Sequence, residues 1–508
     1  MPLNPALPRL MPRLLACSLA AAWAPHAWSQ TSGLRLQPTL NLGVTVTDAH
    51  DFEDGPRRGE VISTVGAGLA VSANAGRLRG SLAYRADGVL YARDTTANAL
   101  LHSLQSSAVA ELLERQLFVD VSARVSQQPV STRQVQTVDS VLTERNRAQL
   151  GTISVQPRFE FQLGHVADGQ LAASGTYTRP SGDADREDSA QASASFSLVS
   201  ATVAKLGWNA SATRNVSQFR GSRRATDDRL VAGLDYKPDV DWRLSVRGGV
   251  DYSDINAAGE RRRYDSWGAG VDWTPSPRTR ATLQADKRSF GDAFGVSFEH
   301  RSRQTVWRYS DQQDLSRSGA NDAVQLASAY DLFFALYASQ EPDPVKRQEL
   351  VESVLVRNGL QRDSQLAVGF LSNSITLQRR QQASVLLQAV RTSYSLSAFA
   401  SRSRRVEDGS LLLDDTANGN SVMQRGLTLQ VSHRVTPTAA LTGAASWQRN
   451  SESEPGSTPS TLKSLSLSWS DRLGPRTAYS LSVRHAEYSA ETDPYSENAL
   501  IANLSLRF

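Results

Sequence analysis

The sequence predicts an all-β fold, a single large antiparallel transmembrane β-barrel of about 20 to 22 strands carrying a short α-helical hairpin insertion. Three observations predict it. Period-two alternation recurs in segments of about ten to fifteen residues along the chain. The breaks between segments alternate between tight and long, as the turns and loops of a membrane barrel do. The last segment places Leu500, Ala502, Leu504, Leu506 and the terminal Phe508 on one face, with Asn503, Ser505 and Arg507 on the other.

The first residues stand apart from this pattern. Arg9 and Arg13 precede the apolar run Leu14-Leu15-Ala16-Cys17-Ser18-Leu19-Ala20-Ala21-Ala22-Trp23, and Ala27-Trp28-Ser29 supplies a small-x-small cleavage site. Residues 1–29 therefore read as a secretory signal peptide, too short for a membrane anchor, and residues 30–508 as the barrel. Cys17 is the one cysteine of the 508-residue chain, so disulfides and thiolate metal sites are excluded after cleavage. Net charge is +4 at pH 7, which gives no sign of a nucleic-acid partner. Mean hydropathy is −0.37, compatible with strands whose two faces average out.

In the strands themselves, Leu117, Val119, Val121, Ala123 and Val125 alternate with Phe118, Asp120, Ser122, Arg124 and Ser126. Leu244, Val246, Gly248, Val250 and Tyr252 alternate with Arg243, Ser245, Arg247, Gly249 and Asp251, and Ala281, Leu283 and Ala285 with Arg280, Thr282, Gln284 and Asp286. A soluble sandwich rarely carries so much charge on its second face. Tight breaks fall at Asn74-Ala75-Gly76, Glu114-Arg115-Gln116, Ser200-Ala201, Pro275-Ser276-Pro277 and Arg391-Thr392-Ser393. Longer polar breaks fall near 47–59, 128–147, 180–188, 215–226, 254–262, 405–420 and 451–460. Tyr84, Tyr91, Trp242, Tyr252, Trp273, Trp447, Trp469 and Tyr488 sit near segment ends, as interfacial girdles require. Termini on one side of the membrane demand an even strand number. A direct parse gives 21, and residues 366–391 are the suspect, either one long strand or two with a turn near Arg379-Arg380; 22 is favoured.

One stretch, about 318–362, leaves the β pattern. Val324, Ala327, Tyr330, Leu332, Phe333, Phe334, Leu336 and Tyr337 approach helical spacing. After Glu341-Pro342-Asp343-Pro344, a second amphipathic helix runs through Val345, Leu350, Val351, Val354 and Leu355 and stops at Asn358-Gly359. A plug in the lumen and a module outside the membrane both satisfy this pattern.

Catalytic constellations are scarce. The six histidines after the signal peptide, His50, His102, His165, His300, His433 and His485, lie far apart, and no metal-ligand spacing, phosphate loop or nucleophile elbow occurs. No cofactor, metal site or catalytic residue is expected. Arg124, Arg243, Arg247, Arg280 and Arg484 are the candidate lumen-lining residues, able to attract anions or simply to pair with Asp120, Asp251 and Asp286. Arg223-Arg224 and Arg261-Arg262-Arg263 fall in outer loops, where they face either lipopolysaccharide phosphates or solvent. The expected partners are outer-membrane lipid and, through the Phe508-terminated strand as assembly signal, the barrel-assembly machinery of a Gram-negative bacterium.

Several segments together resemble an uncharacterised family of outer-membrane β-barrel proteins associated with the PEP-CTERM/exosortase protein-sorting system. They are Leu36-Gln37-Pro38-Thr39-Leu40 with the threonine-rich strand that follows, Gly76-Arg77-Leu78-Arg79-Gly80-Ser81-Leu82-Ala83-Tyr84, Phe118-Val119-Asp120-Val121-Ser122-Ala123, His300-Arg301-Ser302-Arg303-Gln304-Thr305-Val306-Trp307 and the Pro342-Asp343-Pro344 hairpin. The resemblance covers most of the chain after the signal peptide, in order, and brings no catalytic residues. It implies a pore or scaffold in the outer membrane, serving export or surface assembly of exopolysaccharide or PEP-CTERM proteins. A general or solute-specific porin and an outer-membrane hydrolase are the competing functions.

Overall fold

The computed structural model describes residues 33–508 apart from 51–57, 140–145, 182–187, 202–204, 220–222, 256–259, 318–327, 361–368, 373, 407–413, 418–419, 454–456 and 492. The segment 1–29 expected to be a signal peptide, with Cys17, lies outside the described residues. The described residues form 22 strands closed into one sheet. The first six are β1 (Leu34–His50), β2 (Arg58–Ala75), β3 (Leu78–Tyr91), β4 (Ala99–Leu113), β5 (Leu117–Pro129) and β6 (Arg147–Leu163). Next come β7 (Ala167–Ser181), β8 (Ser189–Ser200), β9 (Leu206–Phe219), β10 (Ala225–Tyr236), β11 (Trp242–Ser253) and β12 (Arg262–Ser276). They are followed by β13 (Thr279–Arg288), β14 (Gly291–Arg301), β15 (Thr305–Ser316), β16 (Thr376–Gln388) and β17 (Thr392–Arg405). The series ends with β18 (Ser421–Arg434), β19 (Ala440–Glu452), β20 (Ser460–Arg472), β21 (Thr477–Ser489) and β22 (Tyr495–Arg507). Each strand pairs antiparallel with its sequence neighbours. The sheet closes where Thr39 to Thr47 of β1 run against Arg507 to Ala499 of β22.

Because the strand number is even, both ends of the barrel wall lie at one rim, the termini end. The connections on that rim are short, such as 76–77, 114–116, 277–278 and 389–391. Most long connections leave the opposite rim, the loop end. The alternation of tight and long breaks in the sequence is this asymmetry.

Strand parity sorts the side chains. Leu427, Leu429, Leu465, Leu467, Val246, Leu230 and Trp267 are exposed on the outside, an apolar belt of the kind a lipid-facing barrel surface requires. Trp242 and Trp273 stand directly opposite each other near the termini end, ring centroids 5.7 Å apart. Two residues assigned to the aromatic girdles face inward instead. Tyr91 packs with Ile62 and Val89, and Tyr488 with Leu462, Ala486 and Tyr495. Their parity sets them under loop segments, where a buried phenol finds a partner: the Tyr488 hydroxyl donates to the Gln134 carbonyl.

Among the described residues, 366–391 hold one strand, Thr376–Gln388, with Arg379-Arg380 within it. The two-strand alternative is thus corrected: Gln378 to Ala383 continue unbroken pairing with β15 and β17. The element missing from a 21-strand parse lies elsewhere.

Two helices are described in the insertion between β15 and β16, α1 (Ala329–Leu336) and α2 (Pro344–Arg357). The first begins at a reciprocal capping box between Ser328 and Asp331; Val324 and Ala327, which sequence spacing also assigned to it, lie outside the described residues. The second ends in a Schellman motif: Leu360 N–H donates to the Leu355 carbonyl, Gly359 N–H to Val356, and Gly359 has φ +62°. The insertion leaves the wall at the loop end, yet the hairpin is seated inside the barrel at the termini end. Its apolar face, Leu332, Phe333, Val351, Val354 and Leu355, packs on Val306 and Leu386 of the inner wall. The aromatic residues of α1 therefore belong to a packed core. The Asn358 carbonyl accepts hydrogen bonds from Ser432 and Thr442.

Gly359 holds that seat twice over. Its left-handed conformation costs other residues about 1–2 kcal/mol, and a Cβ there would collide with Ser470 Oγ. Gly359→Ala should speed amide exchange throughout α2 by roughly tenfold, a change of about 1.4 kcal/mol, with the strands unaffected. Unchanged protection of α2 in a hydrogen-exchange experiment would show that this glycine does not fasten the hairpin.

Candidate functional site

The inner wall of β10–β13 carries the densest charge. Arg243 donates through Nε (3.2 Å) and Nη2 (3.0 Å) to Asp235, and Arg247 grips Asp286 at 2.5 and 2.6 Å. Gly268, facing the same pair from β12, leaves room for it; a Cβ would collide with Asp286 Oδ1. Toward the loop end, Arg229 and Arg288 meet Asp251, and Arg288 and Arg317 meet Asp227. Asp251 and Asp227 are fully buried, so their charge is tolerable only with these partners. Arg317 is the first residue of the insertion, and its Nη2 lies 3.1 Å from Asp227. Burial pushes its guanidinium below the usual arginine range, opposed by the pull of Asp227.

The five lumen candidates thus have different surroundings. Arg243 and Arg247 are paired on the luminal wall. Arg124 shares the inner parity of Phe118 and Asp120 and is exposed. Arg484 is buried, joining Asp139 at 3.2 Å and Glu497 at 2.9 Å, so it clasps a loop to the wall and lines no pathway. Arg280 is exposed and has no ion pair among the described residues. It opens onto a cavity of about 1000 Å³ on the termini-end wall of β12–β16, bounded by Asp331 of α1.

That cavity contains the residues sequence reading missed. Arg301 Nη1 donates to the Ala335 carbonyl (3.3 Å) and Arg308 Nη1 to the Asp331 carbonyl (3.4 Å). Glu299 lies between them, 3.5 Å from Arg301 and 3.0 Å from Arg308. Thr282, Ser297, Ser310, Gln284 and Gln382 add hydroxyls and amides. The inward parity of Val306, Arg308 and Ser310 was the available signal. The insertion, needed to complete the cavity, comes from a loop whose path no periodicity specifies.

The loop-end half of the lumen is occupied by chain. Segment 130–139 leaves β5 and reaches the wall of β18–β22. Ser131 and Thr132 donate to Asp415, Arg133 pairs with Glu452 at 2.7 Å, and the Tyr495 hydroxyl donates to the Gln136 carbonyl. Asp414 takes Ser372, Thr416 and Arg405, and Leu371 packs on Ala148 and Leu150. The arginines assigned to outer loops are also answered, Arg261 by Asp228 and Arg223 by Asp254, and so are Arg262 and Arg263, which open β12, by Glu260 and Asp265.

His102, His300, His433 and His485 take the outward parity of Leu100, Trp307, Leu441 and Val483, so none of the four reaches a luminal serine or carboxylate. Among the described residues no group of His, Cys, Asp or Glu is placed to hold a metal ion. No described helix is long and apolar enough to cross a membrane.

Fold and lumen together define a transmembrane β-barrel with an arginine–carboxylate wall and an internal helical hairpin. Among solved structures, the chain is similar to the siderophore receptor PirA from Pseudomonas aeruginosa, with 9% identity and a TM-score of 0.42 over 93% of this chain and 80% of that one. It is also similar to the FrpB iron transporter from Neisseria meningitidis, with 10% identity and a TM-score of 0.47 over 94% and 83%. A mutant ferric enterobactin receptor, PfeA, from Pseudomonas aeruginosa, in complex with enterobactin, gives 11% identity and a TM-score of 0.47 over 94% and 82%. The likeness extends to barrel architecture alone. No family model and no curated protein matches the chain.

The buried cluster should matter to stability. Asp251→Asn leaves Arg229 and Arg288 short of a carboxylate and should lower unfolding stability in detergent by roughly 3 kcal/mol. A loss below about 1 kcal/mol, the range of a surface pair, would show that these charges are solvated.

Proposed function

We propose that the barrel is an outer-membrane passage for a polar polymer, foremost an exopolysaccharide, and that the hairpin is its internal gate. The resemblance to barrels of the PEP-CTERM/exosortase setting agrees with this reading. The observation that carries it is the hairpin's place: chain leaving the loop end sits in the opposite mouth of the lumen, held by one apolar face and a few hydrogen bonds to its carbonyls. Arg301 and Arg308 both line the cavity and hold α1. A saccharide carrying carboxylate or phosphate groups would compete for those guanidiniums, and its hydroxyls would find Thr282, Ser297, Ser310 and the two glutamines. Charge pairs along β10–β13 keep the rest of the wall wet and non-adhesive. On this orientation both termini are periplasmic.

A specific observation favours a solute-specific porin as the second reading. From the termini end to mid-strand, inner-face residues of β1–β6 such as Arg35, Gln37, Arg79, Ser81, Arg124 and Gln156 are exposed, so water reaches past the hairpin on that side.

Planar-bilayer conductance separates the two. We expect a quiet wild type and a conducting form when residues 318–362 are deleted and Asp415→Ala releases segment 130–139. Large, equal conductance in both forms would make it an open porin. Silence in both, with folding shown by heat-modifiable migration, would leave a scaffold.

A further inference from the structure

The outside of the barrel carries charge that its own sequence does not answer. On β17, Arg402 and Arg404 share the outward parity of Tyr394 and Leu396; on β18, Arg425 shares that of Leu427 and Leu429; on β19, Arg449 shares that of Trp447. All four arginines are exposed and lie in the loop-end half of their strands. Arg425 stands directly opposite Arg449, and Arg402 directly opposite Arg379. Like charges in directly opposed positions destabilise a sheet. Arg379 is answered by Asp311 at 2.7 Å. Arg402, Arg404, Arg425 and Arg449 have neither an ion pair nor a side-chain hydrogen bond among the described residues.

Elsewhere on the outer surface the chain neutralises such charges. Arg214 has Asp228 at 3.7 Å, and Lys463 has Glu487 at 3.2 Å. The four unpaired guanidiniums are therefore a local exception, on three adjacent strands. Immediately toward the termini end lie the exposed apolar side chains Leu396, Leu427, Leu429 and Trp447. Anion-seeking forks above an apolar surface match a ligand with phosphates above acyl chains. Guanidinium binds phosphate through paired N–H donors, and each bound phosphate relieves repulsion within the row.

We propose that Arg402, Arg404, Arg425 and Arg449 form a binding site for the phosphorylated head group of a lipid in the leaflet at the loop end, of the lipopolysaccharide class. The lipid class rests on the outer-membrane reading; the lumen plays no part. A failed conductance test therefore leaves this site standing, and a failed lipid test leaves the gate standing.

The test uses the full barrel in neutral detergent, with thermal unfolding and direct titration as readouts. Deep-rough lipopolysaccharide, its enzymatically dephosphorylated form and inorganic pyrophosphate are the three probes. We expect the phosphorylated lipid to raise the wild-type unfolding temperature, and the dephosphorylated lipid and pyrophosphate to bind at least about tenfold more weakly. Arg425→Gln with Arg449→Gln should fold at least as well without lipid, since it removes repulsion, and lose about tenfold in lipid affinity. Arg214→Gln, on another face, should bind like wild type. Equal binding by wild type and the double variant would overturn the site. Equal binding of the dephosphorylated lipid would overturn the role of phosphate, and equally tight pyrophosphate would make it a soluble-anion site instead.

Discussion

In a lipid bilayer no water is present to satisfy backbone N–H and C=O groups, so a sheet that spans it must have no edge. The seam between β1 and β22 meets that demand. Thr39 to Thr47 take the register of Arg507 to Ala499, and the Phe508 amide donates to the Pro38 carbonyl at 3.0 Å. Much of the remaining architecture follows from closing a sheet of this size. A tube of 22 strands has a lumen too wide for wall side chains to fill, so the interior must hold water, loops or an inserted element. This chain uses loop segments and an inserted hairpin. The apolar residues face out because lipid is there, and the inner face is left to serine, threonine, glutamine and paired charge.

The two inner fillings are held by different forces. At the loop end, segment 130–139 and residues 414–416 are fixed by carboxylates: Asp414, Asp415, Glu452 and Glu497 gather hydroxyls, amides and guanidiniums from distant strands. Asp414, Asp415 and Glu497 are buried and Glu452 is half-buried, so their hydrogen bonds are costly to leave unmade. The hairpin rests on an apolar patch and on donors from Arg301, Arg308, Ser432 and Thr442 to its carbonyls. Such a contact is separable without stranding a buried charge, the property a moving part needs. Burial also raises the Tyr337 phenol above its ordinary range, so it stays neutral beside Arg357 and Arg434.

Much of this was legible in the sequence. Period two, the rhythm of breaks and the closing strand specify a barrel because each is a local consequence of a two-sided strand. The hairpin was legible for the same reason, with Pro344 and Gly359 marking its second helix. What could not be read depends on residues far apart in sequence. Ser131 meets Asp415, and Tyr495 meets the Gln136 carbonyl, across hundreds of positions. Arg484 looks like a pore arginine by parity and becomes a clasp because segment 130–139 folds over it. Charge on the alternating face was assigned to the lumen, yet Arg402, Arg404, Arg425 and Arg449 take the lipid-facing parity. They lie toward the loop end, where the outward face leaves the apolar belt.

Whether the barrel is gated depends on where the hairpin sits, and the hairpin's C-terminus offers a direct handle. A Cβ at Gly359 would lie 3.4 Å from the Ser470 Cβ, close to the separation a disulfide spans. Cys17, in the segment read from sequence as a signal peptide, is the one native cysteine, so after the expected cleavage a Gly359→Cys, Ser470→Cys pair has no competitor. Oxidation of the folded barrel in membranes should close this bridge in high yield, seen as a mobility shift after denaturation. If both cysteines instead remain free and accept a membrane-impermeant maleimide while α2 keeps its wild-type amide protection, so that the substitution at 359 has not itself unseated the helix, the hairpin does not rest against β19 and β20, and the gate has no seat.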